Sequence, residues 1–142
     1  MPRFIVLIKS SAEAESGALP PAELMNAVGE YNEKLAQSGK LIWADGFLPT
    51  STDAARIVGT DSGARTVTNG PFGEPIMGGY FILNVSNLDE AIQIVKDMPV
   101  SKEGAVEIRR LVEIADIPAP PDQIERAKAL RALMNKNVAA LG

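Results

Sequence analysis

Two short segments constrain this chain more than anything else in it. Every residue of Phe4-Ile5-Val6-Leu7-Ile8 is apolar, and Tyr80-Phe81-Ile82-Leu83 is nearly the same. Successive side chains of a strand point to opposite faces. Strands that are apolar on both sets are buried on both sides. A fold for this chain must therefore cover its sheet twice. Ile5 and Val6 both stand as candidates for the face that the helices leave open.

The rest of the pattern supplies the elements. Arg3 to Lys9 reads as a strand and Ser10 to Leu19 as a loop. Pro20 and Pro21 open a helix whose Leu24, Val28, Tyr31 and Leu35 share one face, and Gly39 stops it. Leu41 to Leu48 is a second strand, ended by Pro49. Ala54–Val58 and Ala64–Thr68 flank Asp61-Ser62-Gly63, a hairpin signature. Asn69 to Gly79 holds four glycines and two prolines in eleven residues, which makes it a long loop of functional type. Tyr80 to Val85 is a strand. Ser86 and Asn87, each followed three residues on by an acid, cap a helix with core positions Leu88, Ala91, Ile92, Val95 and Met98. Ala105 to Ile114 is the last strand. Asp116 to Pro121 is a proline-rich linker, and Asp122 caps a final helix.

The order β-α-β-hairpin-β-α-β is that of a ferredoxin-like, split βαβ α+β fold with an extra β-hairpin and a C-terminal helix. Two helices cover one face of such a sheet. The other face is closed by the tail helix or by a second copy of the chain, and two-faced burial favours the copy.

Composition narrows the chemistry. The 142 residues include no His and no Cys, so His-dependent triads, thiolate nucleophiles and Cys- or His-ligated metals are excluded. No aspartate-rich metal loop is present, and the expectation is no metal and no cofactor. A net charge of −4 argues against nucleic acid as a partner. No apolar run is long enough to span a bilayer, and no basic-then-apolar segment opens the chain. A cytoplasmic location is expected.

The segment Thr66-Val67-Thr68-Asn69-Gly70-Pro71-Phe72-Gly73-Glu74 is the distinctive one. It resembles the signature of the YCII-related, or DGPF-domain, family. Asp45-Gly46-Phe47-Leu48-Pro49, Gly79-Tyr80-Phe81-Ile82, Leu88-Asp89-Glu90-Ala91 and Val106-Glu107-Ile108-Arg109 resemble it too. The resemblance covers residues 1–115, a YCII-related ferredoxin-like domain, and leaves 116–142 as a linker and helical extension. It implies a dimeric α+β barrel, two sheets face to face with a pocket in each subunit. Better-understood relatives look like small enzymes of aromatic-compound breakdown, acting by cofactor-free acid–base isomerisation or elimination. Asn69 stands where the family motif has Asp, and Pro75, Ile76 and Met77 replace its Thr, Lys and Glu.

Candidate site residues follow from both lines. Asp45, at the end of an apolar strand, and Glu74, the carboxylate left in the motif loop, are candidate catalytic acid–base groups. The bland alternatives are a turn aspartate and a loop-holding acceptor. Arg56 and Arg109 are candidates to grip a substrate carboxylate, or else make cross-strand ion pairs. Asn69 orients substrate or caps a turn. Tyr80 offers a hydroxyl to a pocket, and Gly78-Gly79 beside it would let a ligand approach. Trp43 and Phe72 wall an apolar pocket or are core. The expected ligand is a small, partly apolar organic molecule. The alternative is a non-catalytic binding or assembly module that has lost the family's acid–base groups.

One test follows from composition alone. Adding a chelator should leave the melting temperature unchanged; a drop of several degrees reversed by one metal would refute the metal-free expectation.

Overall fold

A computed structural model describes residues 1–73, 77–99 and 104–142. The chain divides into two compact units, Met1–Arg110 and Leu111–Gly142.

The first unit is built on a four-stranded antiparallel sheet. Its strands are β1 (Arg3–Lys9), β2 (Leu41–Gly46), β5 (Met77–Asn84) and β6 (Val106–Arg110), in the order β2-β5-β1-β6. β3 (Ala55–Gly59) and β4 (Arg65–Asn69) form a separate hairpin. The helices are α1 (Ala12–Glu15), α2 (Ala22–Gln37) and α3 (Leu88–Lys96).

Register assigns every side chain a face. Phe4 lies opposite Leu83 and Val6 opposite Phe81. All four are buried and pack with Val85, Ala91 of α3 and Met98. Tyr31 of α2 and Ile94 and Val95 of α3 close over this cluster. Val6 is thus on the helix side, fully buried, and not on the open face. Ile5 lies opposite Ile82, and Leu7 opposite Tyr80, on the other face. These four remain half-buried. The apolar character of β1 and β5 thus extends to both of their faces.

Local chemistry sets the element ends. Gly39, at φ +77°, carries α2 into a Schellman close: Lys40 N donates to Leu35 O and Gly39 N to Ala36 O. Asn87 caps α3 by accepting from Glu90 N, and Glu90 accepts from Ser86 N. Gly63, at φ +83°, turns the β3–β4 hairpin.

Some elements differ from the sequence expectation. The Ser10–Leu19 segment contains α1, because Ser11 accepts from Ala14 N and starts a turn. β2 ends at Gly46, and Phe47 N donates to Gly78 O as the strand leaves the sheet. β5 starts at Met77, which shortens the motif loop from its C-terminal side. β6 ends at Arg110, the last residue of the first unit.

The second unit holds a 3-10 turn (Ile114–Asp116) and α4 (Pro121–Ala139). Pro120, not Asp122, is the N-cap; Asp122 sits in the first turn, where its charge suits the helix dipole. Val112, Ile114, Ile117, Ile124, Leu130 and Met134 line a groove of about 310 Å³ inside this unit. No residue of α4 is buried. Among the described residues no helix is long and apolar enough to cross a membrane.

Tyr31 ties the two core helices, its hydroxyl donating to Ile94 O. Burial, helped by the charge of Asp97, pushes its pKa up to about 12. A raised folded-state value means the unfolded phenol ionises first, so stability present below about pH 10 is lost as pH rises towards 12. Denaturant melts should show that alkaline loss in the wild type and a smaller one in Tyr31→Phe.

Candidate functional site

The site begins with an irregularity in β2. Leu41 lies opposite Leu83, on the helix side, yet Trp43 lies opposite Ile82, on the open side. Two residues apart in a regular strand they would share a face. The register shift between them inserts Ile42 as an extra residue and reverses the phase of the strand. Trp43 and Asp45 are thereby turned onto the open face, while Ala44 packs into the core.

There Asp45 lies opposite Tyr80. The Tyr80 hydroxyl donates to Asp45 Oδ2 at 2.8 Å, and Trp43 Nε1 donates to the same oxygen at 2.7 Å. Two donors on one oxygen fix the carboxylate of an exposed residue. The bond to Asp45 raises the Tyr80 pKa, and partial burial and the Asp45 charge push the same way. The phenol is therefore neutral and a donor at neutral pH. Phe47 packs beside it, ring centroids 5.9 Å apart and tilted by 47°.

A second cluster adjoins the first through Phe47. The Arg56 guanidinium of β3 lies over the Phe72 ring, 4.3 Å from its centroid. Phe47, Leu48, Thr50, Arg56, Phe72 and Met77 line a cleft of about 530 Å³. Its floor is laced together by Thr50. Thr50 N donates to Glu15 Oε1 at 2.9 Å, the Thr50 hydroxyl donates to the same oxygen, and Phe72 N donates to Thr50 Oγ1 at 2.9 Å. Gly70, before the cis bond to Pro71, makes this approach feasible. A Cβ there would sit 1.7 Å from Thr50 O.

Other candidates are more dispersed. Asn69 ends β4 opposite Ala55 and is exposed, lining a shallow hollow with Thr50 and Asp53. Arg109 is on the open face opposite Ile5, at the far edge from Asp45. Three strand spacings separate those edges, about 14 Å. Glu74 lies outside the described residues. The Gly78-Gly79 pair lets the chain's own backbone approach. A Cβ on Gly78 would meet Ser10 Cα at 3.1 Å, and one on Gly79 would meet Asp45 O at 2.9 Å.

Residues 3–115 match the family model described as the YCII-related domain. The chain belongs to this family. The match spans both clusters, so Asp45, Tyr80, Arg56 and Phe72 are all within the YCII-related domain. Comparison with curated proteins returned no match. Among solved structures, the chain is similar to the 5-chloro-2-hydroxyhydroquinone dehydrochlorinase TftG from Burkholderia phenoliruptrix AC1100, in complex with 2,5-dihydroxybenzoquinone. The identity is 17%, the TM-score is 0.44, and the alignment covers 81% of this chain and 99% of that one.

Sequence reasoning missed Glu15 and Thr50, and it read Trp43 as a wall rather than a donor. Ser11 ahead of Ala-Glu-Ala-Glu is a helix-start signal that was there to be read. Nothing local to Thr50 announces its partner thirty-five residues away.

The chain has two tyrosines, so Tyr31→Phe leaves Tyr80 as the sole phenol. In that background, Asp45→Ala should lower the pH at which tyrosinate absorbance appears, since it removes the main cause of the upward shift. An unchanged titration would deny the Asp45–Tyr80 bond in solution.

Proposed function

We propose that this YCII-related protein binds a small, partly apolar organic molecule on its open sheet face and moves a proton with Asp45. The observation that carries this reading is the Asp45 carboxylate, held by Trp43 and Tyr80 through one oxygen beside an apolar surface. A general base needs a positioned lone pair within reach of the proton it takes. With Oδ2 held by two donors, Oδ1 is the oxygen assigned that part. Substrate C–H breaks, its proton goes to Asp45 Oδ1, and the electron pair moves to an adjacent carbonyl or expels a leaving group. Once Asp45 is protonated, its hold on the Tyr80 hydroxyl weakens, and that hydroxyl is available to donate to the developing oxyanion. With no His in the chain, a carboxylate–phenol pair is the natural carrier of such a step. Glu74, from the same motif loop as Phe72, is a further acid–base candidate, with Asn69 and Arg109 as ligand-orienting groups.

We further propose that a second copy closes the open face. Ile5, Leu7 and Ile82 are apolar there, and Trp43 is 40% exposed. The assembly is a homodimer working in the cytoplasm, a setting that suits a Cys-free chain. In this reading residues 1–115 form the ligand-binding domain and 116–142 a helical extension. A second reading, binding without catalysis, is favoured by one observation, Asn69 in place of the motif's acid.

Sedimentation should give about twice the 15.1 kDa monomer mass, and Ile5→Asp should abolish the dimer. A panel of small carbon acids, followed by NMR for proton–deuterium exchange, should yield a substrate. On it, Asp45→Asn should slow exchange by about 10²–10⁴. Full exchange in that variant would remove Asp45 from the mechanism. Ligands that raise the melting temperature of both proteins equally, with no exchange, would establish the binding reading.

A further inference from the structure

The cleft beside the Asp45 face has its own chemistry. Its apolar walls are Phe47, Leu48, Phe72 and Met77, and among the described residues its one cation is Arg56. Two phenyl rings at the walls of a cleft of about 530 Å³ favour a flat apolar body, which can stack on ring faces. The guanidinium rests with its carbon over the Phe72 ring. The ring contact takes none of its N–H groups as a hydrogen-bond donor, and a guanidinium offers such groups in pairs to a planar, bidentate acceptor. Among the described residues no carboxylate pairs with Arg56. Asp53, the one acid lining the cleft among those residues, disfavours ligands of high negative charge.

We infer that this cleft binds a carboxylate carried on a flat apolar body, gripped by Arg56 against Phe72, and that Glu15 is the positioning residue that fixes the Phe72 platform. The inference rests on the small-molecule reading above and names the ligand class for the neighbouring subsite. Glu15 touches no ligand. It accepts from both the N–H and the hydroxyl of Thr50. With its hydrogen committed to Glu15, the Thr50 hydroxyl presents a lone pair to Phe72 N. The relay thus joins α1, the segment after β2 and the motif loop. It holds Phe72 where the Arg56 guanidinium can lie on it. Loss of the acceptor at residue 15 frees the hydroxyl to turn, and Phe72 N loses its partner.

The probe is 2-naphthoate, titrated into the full chain by calorimetry and by amide NMR. Its comparators are 2-naphthamide, flat but uncharged, and decahydro-2-naphthoate, charged but not flat. Naphthoate should bind at least about tenfold tighter than either, since a charge-assisted bidentate contact is of that size. Its shifts should fall on residues of the cleft. Arg56→Gln should weaken naphthoate about tenfold and leave naphthamide unchanged. Glu15→Ala should weaken both flat probes several-fold and move the Phe72 amide signal. Glu15→Gln, which keeps an acceptor oxygen for Thr50, should restore both. Equal binding of naphthoate and naphthamide, or full binding by Arg56→Gln, overturns the inference. So does an absence of binding at millimolar probe. Naphthoate binding that is lost in Asp45→Asn but kept in Arg56→Gln would place the ligand on the open face, overturning the cleft assignment while sparing the proposed function.

Discussion

The pairing of β1 with β5 is the constraint on which everything else rests. It is a seven-pair antiparallel ladder whose register leaves no choice of face. With Phe4 on Leu83 and Val6 on Phe81, the helix-covered core is set. With Ile5 on Ile82 and Leu7 on Tyr80, an apolar surface is set on the opposite side by the same hydrogen bonds. A slip of one residue would exchange the two sets. Because both are apolar, hydrophobicity alone would tolerate the slip. What forbids it is shape and size: Gly79 must meet the backbone of Asp45 and Gly46, and Tyr80 must face Asp45.

The geometry of the candidate site is grafted onto this ladder by one extra residue. The Ile42 bulge costs β2 a regular pairing and returns a reversed phase. That reversal delivers an indole, a carboxylate and a phenol to one surface from two neighbouring strands. Rigid strands hold Asp45 and Tyr80. The cleft beside them depends instead on side chains from separated segments, joined through Thr50. The two halves of the site therefore differ in what maintains them: backbone pairing in one, a side-chain relay in the other.

That difference also explains what could be read from the sequence. The strands around Phe4–Ile8 and Tyr80–Leu83, the Gly39 stop, the Asn87 cap and the Gly63 turn are local signals. Each rests on residues within a few positions of one another, and each was legible. Asp45 and Tyr80 were legible as chemically capable residues, and so were Arg56 and Phe72. The pairing of Asp45 with Tyr80 was not, because it depends on a bulge whose signature is the register with a strand whose Tyr80 lies thirty-five residues on. Glu15 was invisible for the same reason: its partner Thr50 belongs to another segment, and a four-residue helix leaves almost no periodicity to detect. Arg109 was legible as a strand arginine with apolar neighbours, but its place on the open face, at the edge far from Asp45, follows from the pairing of β6 with β1 and has no local signal.

Trp43 is the chain's single tryptophan, and its indole N–H rests on the carboxylate at the centre of the proposed site. The emission of an indole responds to charge and to water at that nitrogen. Excited selectively, this protein therefore glows from one place only, and that place is the carboxylate–phenol pair. Protonation of Asp45, arrival of a ligand or closure by a second copy would each reach the detector without any label. The fold has placed its own dye at the candidate site.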